Sequence, residues 1–156
     1  MQIYEMLREE FQLQTTLPWP IMLVRICGAV ILVGCIGFER ELRDRPAGLR
    51  THMLVALASA SYCIMTLELI ALDYKDNVRM DPVRLIEAVT GGVAFLAAGL
   101  IVFARGEIRG LTTGASLWLA ASIGLAAGLG QWFLAVSATA LGLFITRVLG
   151  AWEGKN

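Results

Sequence analysis

Five runs of about twenty mostly apolar residues, each broken by a short polar segment, make up most of the chain: Trp19 to Phe38, Met53 to Leu72, Val83 to Ala104, Leu111 to Leu129 and Gln131 to Gly150. The hydrocarbon layer of a bilayer is ~30 Å thick and an α-helix rises ~1.5 Å per residue, so roughly 20 residues make one crossing. The pattern predicts an all-α protein, a polytopic transmembrane helix bundle of about five spans. Little more than Gly130 separates the last two runs, which leaves two crossings or one bent unit open there. Upstream, Ile3, Leu7 and Phe11 recur at helical spacing among Glu5, Arg8, Glu9 and Glu10. That is a surface-lying amphipathic segment rather than a signal peptide, and Pro18 and Pro20 separate it from the first span. The expected organisation is 1–18 interfacial, 19–150 transmembrane and 151–156 a short cytoplasmic tail.

Basic residues favour the cytoplasmic side of a membrane. Arg40, Arg43, Arg45, Arg50, Arg105, Arg109, Arg147 and Lys155 fall on one side of the five runs, and Arg8, Lys75, Arg79 and Arg84 on the other. The N-terminus is therefore expected outside and the C-terminus in the cytoplasm, in a multi-pass protein.

Composition agrees. Hydrophobic residues make up 57% of the 156 and charged residues 17%, against about 45–50% and 25% in ordinary soluble domains. The mean hydropathy of +0.68 excludes intrinsic disorder, and 13 basic residues against 13 acidic ones remove the charge excess that nucleic-acid binding requires. Cys27, Cys35 and Cys63 form no CxxC and sit in apolar runs, so they are expected as small buried hydrophobes, not disulfide or zinc partners.

Two polar groups interrupt the apolar pattern. Arg25, Glu68 and Glu87 fall about 6–9 Å inside one face of the membrane by helix rise. Charges at such depth seek partners, so a contact from Arg25 to Glu68 or Glu87, with Arg84 one turn before Glu87, is expected as a clamp or part of a cation path. Snorkelling to the headgroups is the alternative. The second group is denser: Glu39, Arg40, Glu41, Arg43, Asp44, Arg45, Arg50, Thr51 and His52, joined from a later loop by Arg105, Glu107, Arg109, Thr112 and Thr113, with nine of them, Glu39, Arg40, Arg45, Arg50, Thr51, His52, Arg109, Thr112 and Thr113, expected to form the network. Pro46 and Gly48 make its first loop a shaped turn, and arginine with carboxylate predicts a cytoplasmic polar network. The single histidine assembles neither a metal site nor a nucleophile system, and a structural hydrogen bond is its expected role. No cofactor signature occurs. Gly92, Gly99, Gly110, Gly114, Gly124 and Gly128 are expected where helix backbones approach closely, as small residues permit in lipid.

The segment Gly37-Phe38-Glu39-Arg40-Glu41, followed by Arg45-Pro46-Ala47-Gly48-Leu49-Arg50-Thr51-His52-Met53-Leu54-Val55, closely resembles the hallmark block of the MgtC/SapB family of bacterial inner-membrane proteins. Asp81-Pro82, Gly92, Phe95-Leu96, Ala98-Gly99 and Ile101, then Arg109-Gly110-Leu111-Thr112-Thr113 and Leu117-Trp118, resemble two further family blocks. The resemblance implies an integral inner-membrane protein tied to growth in low magnesium, survival inside host cells and, for the MgtC branch, restraint of the membrane ATP synthase. Relative to the family pattern, Ala94 and Ala97 stand where glycines are frequent and Glu87 where a small residue is usual. MgtC itself carries a soluble C-terminal domain, so this chain is expected to be a short, membrane-only form.

These readings lead to a non-enzymatic membrane protein acting by helix-to-helix contact, with the lipid bilayer and either a homo-oligomer or another membrane protein as partners. A small cation or proton channel is the second reading. Nothing in the sequence supplies a magnesium cage of carboxylates and carbonyls.

Overall fold

A computed structural model of the chain describes residues 3–5, 15–71, 81–104 and 107–149. Five helices follow one another: α1 (Trp19–Leu42), α2 (Leu49–Ala71), α3 (Pro82–Leu100), α4 (Leu111–Gly128) and α5 (Trp132–Phe144), the last continued by a π turn over Ile145–Leu149. Between α3 and α4 lies a small antiparallel hairpin, β1 (Val102–Ala104) with β2 (Glu107–Arg109), in which Phe103 faces Ile108.

Local chemistry sets the boundaries. Pro18 and Pro20 open α1, because proline fits the first turn where backbone N–H groups have no helical partner. Asp81 caps α3 by accepting the Val83 N–H at 2.9 Å, with Pro82 in the first turn. The sharp connections into α4 and α5 place Gly110 and Gly130 in left-handed backbone, at φ +91° and +78°.

Helix α4 is the axis of the bundle. It packs against α1, α2, α3 and α5, and 67% of its most apolar window is buried, against 11% for α3. Its sequence explains this place: Ala120, Ala121, Gly124, Ala126, Ala127 and Gly128 give it a thin profile that neighbours can approach from several sides. A Cβ on Gly124 would lie 2.8 Å from the Ala56 carbonyl oxygen, and one on Gly128 2.7 Å from Cys63 Cβ, so α2 and α4 are in near-backbone contact. Ala29, Val33, Ile36, Ala56, Ala60 and Ile123 form one core; Cys63, Val89, Val93, Leu117 and Leu125 form a second, on the α3 side. Large apolar side chains point outward instead. Phe133 is 89% exposed and Phe95 86%, with Ile31, Leu54, Val83 and Leu141 in the same state. Such a surface suits lipid as solvent.

Four helices are long and apolar enough to cross a membrane, α1 to α4. The fifth expected run forms a separate helix beyond the Gly130 turn, and its apolar stretch, Trp132–Val148, is shorter than the other four. The third run ends at Leu100 rather than Ala104, because its last apolar residues enter the hairpin. Of the cysteines only Cys63 is buried; Cys27 and Cys35 are free and exposed on the outer surface of α1, a correction to the expected burial. Leu7, Phe11 and the tail at 151–156 lie outside the described residues, as do Arg8, Lys75, Arg79, Arg105 and Lys155; residues 3–5 are helical.

Candidate functional site

The end of the bundle where α1 turns into α2 holds a buried polar junction. Gly37 permits it: a Cβ there would lie 2.9 Å from both the Leu49 Cα and the His52 Cβ, so the end of α1 runs directly against the start of α2. The turn between them bonds to the helix it leaves, with the Arg43 and Arg45 N–H groups donating to the Arg40 carbonyl and Asp44 N–H to that of Glu41. Asp44 takes a left-handed conformation at φ +50°, which a short polar side chain tolerates. The Glu41 carboxylate then reaches back and accepts the Leu49 N–H at 2.7 Å, capping α2 from the preceding helix. Gly48 leaves the room for it, since a Cβ there would collide with the Glu41 carboxylate oxygen.

Inside this frame sit Glu39 and Arg40, 2% and 3% exposed. Glu39 Oε1 lies 2.7 Å from Arg43 Nε one turn on, a charge contact without hydrogen-bond alignment, since neither carboxylate oxygen has a hydrogen-bond partner among the described residues. Arg43 Nη2 donates to the Arg147 carbonyl and so ties in the end of α5. Arg40 Nη2 donates to Thr113 Oγ1 at 3.1 Å, linking α1 to the first turn of α4, while Arg40 Nε is buried without a partner among the described residues. Fully buried His52 bridges α2 and α4: Nδ1 lies 2.8 Å from the Gly48 carbonyl and Nε2 3.0 Å from Ser116 Oγ.

Proton counting defines what this bridge can do. Gly48 O can only accept, so Nδ1 carries a proton. Ser116 Oγ also lies 2.8 Å from the Thr113 carbonyl, and its single proton goes either there or to His52 Nε2. Neutral His52 accepts a hydrogen bond at Nε2 from the Ser116 hydroxyl, while charged His52 donates one from Nε2 to Ser116 Oγ, and the hydroxyl then donates to Thr113 O. Both states keep the imidazole paired with no change of heavy-atom position.

Of the nine residues expected in the polar network, the structure brings Glu39, Arg40, His52 and Thr113 together. Arg45, Arg50, Thr112 and Arg109 are at the same end but exposed, and Thr51 is half-buried on the side facing α3. Sequence reasoning places Glu41 in the polar cluster and Gly48 in the shaped turn without their mutual contact, and it misses Ser116. Ser116 stands one turn beyond Thr113 on the buried face of α4, and that spacing was its one signal.

The expected charge cluster at the opposite end does not form. Arg25 Nη1 donates instead to the Gly128 carbonyl at 2.9 Å, where the last turn of α4 offers unpaired acceptors. Glu68 accepts the Thr16 and Leu17 N–H groups at 2.7 and 2.8 Å, just before α1 begins. Arg84 and Glu87 are exposed on α3, and the one ion pair among the described residues is Glu39 with Arg43. The packing glycines divide as well. Gly114 meets Ala97, and Gly124 and Gly128 meet α2, whereas Gly92 and Gly99 face open space and Gly110 serves the turn.

The junction is built from the two sequence blocks around Glu39–His52 and Arg109–Ser116, and the chain matches the MgtC family over residues 26–154, which contain both. The chain belongs to the MgtC family. YhiD of Escherichia coli (strain K12), whose name carries magnesium transporter as a provisional label, is 36% identical over 130 residues, 81% of this chain and 59% of that protein. Protein MgtC of Brucella abortus (strain 2308) is 36% identical over 124 residues, 80% of this chain and 49% of its own length. Protein SapB of Bacillus subtilis (strain 168) is 38% identical over 116 residues, 71% and 49% of the two chains. This MgtC-family chain thus spans about half of the curated relatives' length. No solved structure matches it.

Proposed function

We propose that this chain is the membrane-spanning unit of an MgtC-type protein of the bacterial inner membrane, non-enzymatic, acting by lateral helix contact in an oligomer or on a larger membrane complex. The observation that carries the proposal is the outer face of α3. Glu87, Gly91, Ala94 and Ala98 recur there at helical spacing, and all four are exposed. Three small residues in register let a second helix approach closely, which drives association in lipid where apolar contact alone gains little. Glu87 at one end of the seam gains from a partner, because a lone carboxylate near the hydrocarbon is costly. The buried junction has the complementary task of fixing α1, α2 and α4 so that α3 is presented on a rigid support.

An adaptive role under magnesium limitation or acid stress, and in virulence, goes with this reading through the family. The single histidine is committed to Gly48 and Ser116, which favours a structural role over general base catalysis. Cation conduction is the second reading, favoured by the buried Glu39 carboxylate without hydrogen-bond partners among the described residues; the apolar, close-packed axis along α4 would then require a path between copies. Native mass spectrometry from lipid nanodiscs tests the main proposal. Assemblies larger than one chain, lost on Ala94→Leu, support it, and a monomer without partners in both proteins refutes it.

A further inference from the structure

Helix α3 leans on α4 and touches α2 only slightly, and between α2 and α3 lies an open cavity of about 710 Å³. It runs along α2 from Thr51 to Tyr62, walled by Leu54 and Ala58 on one side and Leu85, Gly92 and Leu96 on the other. From Thr51 to Tyr62 the groove follows roughly 16 Å of helix, and apolar side chains line most of that length. A hydrocarbon chain fits, since carbon contact distances near 3.5–4.0 Å give it a width of about 4–5 Å.

The two mouths differ in charge. Near Tyr62 and Leu85 the helices and their caps carry Arg25 and Arg84 against Glu68, Asp81 and Glu87, with Arg25 and Glu68 held by backbone groups. At the Thr51 mouth, the described residues of that bundle end carry six arginines, 40, 43, 45, 50, 109 and 147, against Glu39, Glu41, Asp44 and Glu107. Arg40 and Arg43 are engaged within the junction. Arg45 and Arg50 are exposed, and among the described residues neither side chain has a hydrogen bond or ion pair. Arg50 stands in the first turn of α2, where the helix dipole adds positive potential.

We infer that the α2–α3 groove is a binding site for an anionic phospholipid, its acyl chains along Leu54, Ala58, Gly92 and Leu96 and its phosphate on Arg50 with Arg45. Basic sites between membrane helices on one leaflet bind such headgroups by charge while the chains lie between the helices. The site is on the side of α3 away from the Gly91–Ala94–Ala98 seam, so it stands or falls separately from lateral association.

Lipid retention by the full chain, read by native mass spectrometry after exchange into detergent with phosphatidylglycerol or phosphatidylcholine of identical chains, is the test. Phosphatidylglycerol is expected to be held more tightly, and Arg50→Gln to weaken it about fivefold, the loss of one basic contact, with phosphatidylcholine unchanged. Gly92→Leu extends into open space and so leaves folding intact, checked by an unchanged melting temperature; it is expected to lower retention of both lipids. Equal retention of the two lipids by the wild type overturns the inference. So does a Gly92→Leu protein that keeps its lipid, or one that changes assembly size instead, which would make the groove a protein contact.

Discussion

The Glu41 carboxylate accepts the Leu49 backbone N–H at 2.7 Å, so the end of one membrane helix caps the start of the next, and Gly48 is the residue that makes room. Losing a cap of this kind costs about 1 kcal/mol. Glu41→Ala is therefore expected to lower the unfolding midpoint in mild detergent by about that amount. Gly48→Ala forces the carboxylate away and should cost at least as much. The pair together should cost clearly less than the sum, because the alanine at 48 no longer meets a carboxylate. Strict additivity in this double-mutant cycle would show that the cap and the glycine are independent.

His52 and Ser116 form the buried link between α2 and α4. Ser116→Ala leaves buried His52 Nε2 without its partner, at about 1–3 kcal/mol, whereas His52→Ala leaves Ser116 its bond to the Thr113 carbonyl and costs stability through the cavity and the lost bridge. His52→Ala and Ser116→Ala are each expected to destabilise by that order, and the double variant by less than their sum. Ser116→Thr keeps the hydroxyl and should be milder. Chemical denaturation in detergent, with helix content as the readout, checks the ranking.

The glycines of α4 and α3 should behave oppositely. Gly128→Ala places a methyl group 2.7 Å from Cys63 Cβ and 3.0 Å from the Ala60 carbonyl, and overpacking of this kind costs about 1–3 kcal/mol. Gly99→Ala meets open space, and exchanging glycine for alanine in a helix gains about 0.5–1 kcal/mol. Thermal unfolding of the two variants should move in opposite directions.

Arg25 serves the last turn of α4 rather than a carboxylate. Arg25→Leu is expected to destabilise the protein, and the charge swap Arg25→Glu with Glu68→Arg is expected not to rescue it. Recovery of wild-type stability in the swap would place Arg25 and Glu68 in contact.

Much of the fold was legible because lipid solvation writes itself as long apolar runs, and the turn chemistry of Pro46, Gly48 and Gly130 marked where the chain reverses. Arg40, His52 and Thr113 could be grouped because charged and polar residues at one end of a bundle stand out against apolar neighbours. What stayed hidden shares a physical cause. Arg25, Glu68 and Glu41 pair with backbone groups, Gly128 O, Thr16 and Leu17 N–H and Leu49 N–H, and backbone partners leave no trace in side-chain identity. Gly92 and Gly99 were read as packing residues because glycine in a membrane helix looks the same whether it meets a neighbour or open space. The early end of α3 was hidden because Val102, Phe103 and Ala104 suit a short strand as well as a helix.

Lateral contact through α3 is tested most directly by a photo-crosslinking amino acid placed at Ala94 or Ala98 and, as control, at the equally outward Phe133 on α5, in intact membranes. Discrete crosslinked species, to a second copy or to one other membrane protein, are expected from Ala94 and Ala98 and absent from Phe133. Crosslinking from the α3 positions no stronger than from Phe133, with lipid adducts alone at all three, would contradict the account.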